Sequence, residues 1–320
     1  MGRHTLIDLA KRSGNAVSVG IVEAMSQQNA FWNLVPVRQI QGVMYKYGQR
    51  TGLPTMNYRG VNAGTTASNS TVRDIIVECK PMFGYSEVDK FLADGYKDGA
   101  SAYRLMEDRG FLAAGANTFN SKAYYGNSSV TAPEIDGIGT VLGTLAAGAV
   151  SATGAGAGVQ SSMYFWSFND AVGTTGRLPG VEVPVANGLL PQATDLGVQL
   201  VFETGSTTKK FPAYSTMYEF APGLAIYDSR SVGRLANISA SSLPTVALIN
   251  QVITSMFPYS CDLITCSKTV YNYVQTLKGS SAFQQTAPYE SNDIFKRATH
   301  FNGIPIMIDE SITQTEAVVS

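Results

Sequence analysis

Residues 83–104, FGYSEVDKFLADGYKDGASAYR, decide how the chain is read. Val88, Leu92, Gly95, Gly99, Ala102 and Met106 recur every three or four residues, and Asp94, Lys97, Asp98, Arg104 and Glu107 fall between them, which is the period of a helix. Ser86 reads as its N-cap, with Asp89 at the third helical position in a capping-box arrangement. The expectation is a helix from Ser86 to Phe111 of about 37 Å, or of more than about 50 Å if it reaches Lys122. Gly95 and Gly99, four apart, then share one face, where a second backbone could approach closely. A single compact domain rarely needs so long a helix.

Three β-like runs precede it: VRQIQGVMYKYGQ (37–49), LPTMNYRGVN (53–62) and TVRDIIVECK (71–80), separated by RTG and AGTTASNS. A ribbon of this kind leaves backbone edges unpaired and has too little apolar surface to be stable alone, so it is expected to lie on another subunit. The charges agree with that expectation. Between Val37 and Lys80 the chain carries Arg38, Lys46, Arg50, Arg59, Arg73 and Lys80 against Asp74 and Glu78, net +4. Between Ser86 and Ala113 it carries Glu87, Asp89, Asp94, Asp98, Glu107 and Asp108 against Lys90, Lys97, Arg104 and Arg109, net −2. The expected inter-subunit contacts are therefore Arg50 and Arg59 of one copy with Asp94 and Asp98 of the next, around Gly95 and Gly99.

On the N-terminal side, Leu6, Leu9, Ala10, Val17, Ile21, Val22 and Met25 have helical spacing interrupted at Ser13-Gly14-Asn15, which suggests an arm of two short helices or one kinked helix. On the C-terminal side the pattern turns to strands, in SSMYFWSFND, GVQLVFETG and AYSTMYEFAPGLAIYDSRSVGRLANI. A helix from Pro244 to Met256, strand DLITCS, helix KTVYNYVQTLKG and strand FNGIPIMIDESI complete the chain. No repeat of 20 to 50 residues and no regular strand–helix alternation is present, so the class is mixed α+β.

Composition narrows the function classes. The 320 residues are 44% hydrophobic but only 15% charged, with net charge −1, a surface suited to burial between subunits. Lys and Arg are not globally clustered, which argues against a dedicated nucleic-acid binder. The longest apolar stretch, IDGIGTVLGTLAAGAVSATGAGAGV, is mostly Gly, Ala and Thr, too weakly hydrophobic to span a membrane. The first 25 residues show no signal-peptide pattern, so residence in a cytoplasm is expected.

Catalytic patterns are missing. Cys79, Cys261 and Cys266 form no CxxC pair and read as reduced structural thiols. His4 and His300 are the two histidines, with no GxSxG or reactive-cysteine context, so His300 reads as a packing residue. TGAGAGVQ is not GxGxxG, ETGSTTKK lacks the second glycine of a phosphate loop, and adjacent Asp309 and Glu310 would point to opposite faces of a strand. Asp228 and Arg230 in YDSRSVGR read as an ion pair at a strand edge. No metal or cofactor is implied.

The order of arm, β-ribbon, long helix and mixed body resembles the Hong Kong 97-type capsid fold of tailed bacteriophages, and in detail the gp7-like family of podovirus major capsid proteins. LPTMNYRGVN, YSEVDKFLADGY, AYYGN with PEIDGIGTVL, SMYFWSFNDAVGTTGRLPG, PGLAIYDSRSVGRLANIS and FNGIPIMIDESI carry the resemblance, from about residue 6 to residue 312. It implies an N-terminal arm (1–36), an extended β-loop (37–84), a peripheral domain with a spine helix (85–135), and an axial domain (136–320) that includes peripheral strands near 198–238. The order of the last helix–strand block resembles a topologically permuted version of the fold.

The implied function is a major capsid protein whose hexamers and pentamers close an icosahedral shell around double-stranded DNA, in a virion assembled in the host bacterial cytoplasm. Implied partners are other copies of itself, a portal protein, a scaffolding protein, a decoration protein, and packaged DNA through non-specific contact. The resemblance carries over no catalytic residues. A β-rich attachment protein should instead show repeats or an aromatic sugar platform, whereas Trp32 and Trp166 stand alone; a soluble enzyme would rest on carboxylates such as Asp228.

Overall fold

The computed structural model describes residues 35–156, 158–168, 180–184, 192–277, 283–285 and 298–320. The arm expected over residues 5–28, as two short helices or one kinked helix, lies outside the described residues. The chain enters at β1 (Val37–Ile40), then forms an antiparallel pair, β2 (Met44–Gly52) and β3 (Thr71–Glu78), joined by residues 53–70 without a regular element. Next come β4 (Met82–Asp89), α1 (Lys90–Asp94), α2 (Ala100–Tyr125) and α3 (Ile138–Val141). Strands β5 (Val150–Ser151), β6 (Ser161–Trp166) and β7 (Gly180–Pro184) lead to a long hairpin, β8 (Gln192–Phe202) with β9 (Lys210–Phe220). The remainder is β10 (Gly223–Ala225), β11 (Val232–Ile238), α4 (Val246–Ser255), β12 (Leu263–Cys266), α5 (Lys268–Gln275), β13 (Phe283–Gln285), β14 (Ala298–Phe301) and β15 (Ile304–Ile308).

The main core forms on both faces of a seven-stranded sheet ordered β13-β14-β15-β12-β6-β11-β5. An interior strand of it, β6, reads Ser-Ser-Met-Tyr-Phe-Trp and is buried at every position, as expected for a strand covered on both sides. Alternation divides its side chains. Tyr164 and Trp166 join Phe119, Ala123 and Tyr124 of α2, whereas Met163 and Phe165 join Ile249, Val252 and Met256 near α4 and Val270 and Val274 of α5. Helix and sheet approach closely at Gly233 in β11, where a Cβ would stand 2.6 Å from the Val252 side chain.

Helix α2 has two supports. Its C-terminal half buries Ala116, Phe119, Asn120, Ala123 and Tyr124, an i, i+3, i+4, i+7, i+8 stripe against the main core. Its N-terminal half lies over a separate three-stranded sheet ordered β4-β9-β8, where Phe111 stacks on Tyr218 at 6.0 Å between ring centres. The C-terminal segment ties these parts together. Glu316, almost fully buried, accepts hydrogen bonds from Arg234 of β11 at 2.8 Å and from Tyr125 of α2 at 2.6 Å, and Ser162 of β6 also donates to it. Tyr124 donates to Asp309 at 2.9 Å, and the Asn237 amide holds both the N–H and the carbonyl of Val319 at 2.8 Å.

Two expectations from the sequence are corrected here. Ser86 does not cap a helix: it is buried inside β4, which pairs with β9 over eight residues from Met82↔Phe220 to Asp89↔Ala213. Asp89 is the actual cap, accepting from the Phe91 N–H at 2.7 Å, and α1 ends at once at Gly95. The spine begins at Ala100, so Gly95 and Gly99 share no helical face. The periodic pattern was real, but pairing with a distant strand outweighed it. The second correction is LPTMNYRGVN, expected as a strand, which forms no strand and has no strand partner among the described residues.

Candidate assembly surfaces

The β2–β3 ribbon has one supported face and one open face. Tyr45, Ile75 and Val77, on one side of the ladder, pack on Ala225 and Tyr227, so the base is anchored to the body. On the opposite side Met44, Val72 and Ile76 are more than half exposed, and the Lys46 ammonium meets the Asp74 carboxylate at 2.7 Å. Every residue from Leu53 to Asp74 is exposed. Leu53, Met56, Tyr58 and Val61 retain 81% to 108% of their reference exposure, a concentration of apolar side chains that gain nothing from their own fold. The two limbs of the 53–70 loop are linked by the Thr55 N–H donating to the Ser68 hydroxyl at 2.7 Å and end in a turn where Ala63 N–H reaches Gly60.

The second surface is the β4-β9-β8 sheet with the start of α2. Arg104 locks it: its guanidinium reaches Asp195 of β8 at 2.8 Å and Thr216 of β9 at 3.0 Å, and lies 5.2 Å from the centre of the Tyr214 ring. The hydrogen bond from Arg104 holds the Asp195 carboxyl below the usual carboxylate range. Phe83, Tyr85, Val198, Leu200 and Phe202 of this sheet and Phe91, Leu92, Leu105 and Met106 of the helices remain largely exposed. A cavity of about 280 Å³ opens between helix and sheet, lined by Met82, Phe111, Leu112, Thr118, Tyr218 and Phe220. Sequence reasoning missed Arg104 as an anchor, because its partners lie about 90 to 110 residues away and leave no local pattern.

The six residues expected at the contact fall as follows. Asp94 and Asp98 bracket the exposed turn between α1 and α2, with Gly95 and Gly99 beside them. Gly99 has φ +87° and caps α2, a conformation that favours glycine. Asp94 already has two partners, Lys90 and the Tyr214 hydroxyl at 3.0 Å, and these hydrogen bonds lower its pKa. Asp98 stands 3.9 Å from Lys97. Arg59 donates to the Ala63 carbonyl within the ribbon tip, and the backbone of Arg50 pairs with Val72 in the ladder.

The chemistry-bearing residues elsewhere lie in structural settings. Cys261 and Cys266 are buried, and burial pushes both thiols up to about 12, so they stay protonated at neutral pH. Asp228 caps a 3-10 turn and pairs with Arg230 at 2.9 Å, and the Tyr259 hydroxyl donates to it. His300 lies in β14, half-buried. Among the described residues no group of three or more His, Cys, Asp or Glu is placed to hold a metal ion, and no helix is long and apolar enough to cross a membrane.

Against this geometry, comparison with known proteins gives a consistent result. The family model of "Major capsid protein GP7" matches residues 13–320. Among solved structures, the chain is similar to that of bacteriophage Epsilon15, with TM-score 0.64 and 19% identity over 88% of this chain and 87% of that one. The bacteriophage JBD30 capsid aligns with TM-score 0.46 and 13% identity over 86% and 88% of the two chains. No curated protein sequence matches. The fold is the Hong Kong 97-type capsid fold, as the sequence resemblance implied.

Proposed function

The chain belongs to the major capsid protein GP7 family and is a shell-forming protein of a tailed-phage virion; from that membership we propose that its copies close as hexamers and pentamers into an icosahedral shell around double-stranded DNA. The ribbon of one copy lies across the sheet and spine helix of its neighbour. Arg50 and Arg59 approach the acidic start of the spine, and the Asp94–Gly99 turn sits within the contact. The observation that carries this arrangement is the complete exposure of residues 53–74 in a segment with four large apolar side chains and a basic charge. Such a concentration of exposed apolar side chains marks an interaction surface.

The protein acts by contact and not by catalysis. Its arm, loop, peripheral and axial parts follow the divisions at residues 36, 84 and 135. A separate scaffolding protein directs closure, a portal protein occupies one vertex, a decoration protein binds outside, and DNA touches the inner wall without sequence preference. Electron microscopy of the expressed protein, with and without its neighbouring gene products, tests this reading. Closed particles or curved patches of hexamers are expected; a small inert monomer under every condition would overturn it.

A further inference from the structure

The cavity of about 280 Å³ beneath α2 exists because side chains are missing from both of its walls. On the helix, Phe111, Leu112, Gly115 and Thr118 form one face over it, and Gly115 lies at the middle of that face. On the sheet, Gly84 of β4 lines it, also without a side chain. A Cβ at Gly115 would meet no atom within 4 Å, and one at Gly84 would stand 3.5 Å from the Phe111 ring, an ordinary contact. Neither glycine is at positive φ, so the backbone conformation does not require them. Glycine inside a helix weakens it relative to alanine. The space is therefore kept where larger residues would fit and would stabilise, which is the mark of a site held open for something else.

The walls state what fits. Met82, Leu112 and Phe220 make much of the lining apolar, and an ordered water needs roughly 2–4 polar partners, so water fills such a space poorly. Phe111 and Tyr218 stand 6.0 Å apart with their planes 15° from parallel, a stack that a further flat ring can extend or meet edge-on. An apolar cavity of about 150 Å³ takes a single benzene ring, so this larger one has the size for two fused rings. Thr118 already donates to the Ala114 carbonyl at 2.8 Å. The remaining polar lining residues are Gln192 and Glu219, opposite each other in the β8–β9 ladder, which favour a donor and disfavour an anion.

We propose that this cavity is a binding site for a neutral two-ring aromatic molecule with one N–H or O–H donor, of the size of indole or naphthol. Its rings occupy the space left by Gly84 and Gly115 beside Phe111 and Tyr218, and its donor meets Glu219 or Gln192. Bound there, it bridges helix and sheet just before α2 enters the main core at Ala116. The site lies within one subunit and does not depend on the shell-forming reading.

The test uses the unassembled full chain and 1-aminonaphthalene, whose emission moves to shorter wavelength when it leaves water. Saturable binding of one probe per subunit and a raised melting temperature are expected. Two substitutions fill the space from opposite walls, Gly115→Leu from the helix and Gly84→Val from the sheet. Each should weaken binding at least about tenfold, and Gly115→Leu should melt no lower than wild type. Should either filled variant fail to fold, competition in the wild-type protein decides: indole should displace the probe, and 1-decanol, an unbranched chain, should do so at least about tenfold less well. Binding that survives either substitution in a folded variant, stronger displacement by decanol than by indole, or no saturable binding would each overturn the proposal.

Discussion

The seven-stranded sheet and the β2–β3 ribbon belong to one chain but complete their packing differently. In the sheet, β6 is buried on both faces and the polar groups around Glu316 find partners within the chain. In the ribbon, only the base is covered, and the loop of residues 53–70 has neither a ladder nor a core. One region holds the fold together. The other, on the proposed reading, is finished by another copy. Substitutions in the sheet should therefore appear in stability, and substitutions in the ribbon should appear in assembly.

The largest stability effect is expected at Arg234. Arg234→Ala strands the Glu316 carboxylate in a buried site, and losing one member of such a pair costs about 3–5 kcal/mol. Urea unfolding of the unassembled subunit should show it as a lower midpoint; an unchanged midpoint would break the contrast on the sheet side. A smaller effect of opposite signs is expected at two glycines. Gly99→Ala places an L side chain at φ +87° and should cost about 1–2 kcal/mol although no atom crowds the site. Gly110→Ala, inside α2 with open space around it, should stabilise by about 1 kcal/mol. If both variants stabilise, Gly99 is helical after all and the spine is longer than described.

The smallest effect concerns pH. Asp195 titrates below its ordinary value because of Arg104, so its contribution is present above the unfolded pKa of about 4 and is lost as pH falls through the lower folded value. Being solvent-screened, the pair should contribute less than about 1 kcal/mol. Asp195→Asn should flatten the acid limb of a melting-temperature profile slightly; an unchanged limb would show that Arg104 holds the sheet through Thr216 and Tyr214 alone.

Much of this was legible in the sequence. FGYSEVDKFLADGYKDGASAYR does contain the start of the spine, the strands through SSMYFW, LANI, LITC and IPIMI are where their apolar runs place them, and the helices near residues 246–255 and 268–275 follow from period and caps. What misled was local ambiguity. The stretch Met82–Asp89 fits a helical period as well as a strand, and pairing with β9, more than 120 residues away, selects the strand. In LADGYKDG the two Asp-Gly pairs are turn signals, and reading their glycines as helix-face residues placed the helix start 14 residues too early. LPTMNYRGVN has strand chemistry but pairs with no strand among the described residues, and a local pattern does not show whether a strand has a partner.

The central claim is that the ribbon serves assembly and not folding, and deleting Gly48–Asn69 tests it most directly. Circular dichroism and electron microscopy of this variant beside wild type read the two properties separately. The prediction is a native spectrum, a melting temperature within about 3 °C of the wild-type subunit, and no closed particles. Normal particles from the deletion variant, or a subunit that no longer folds, would contradict it.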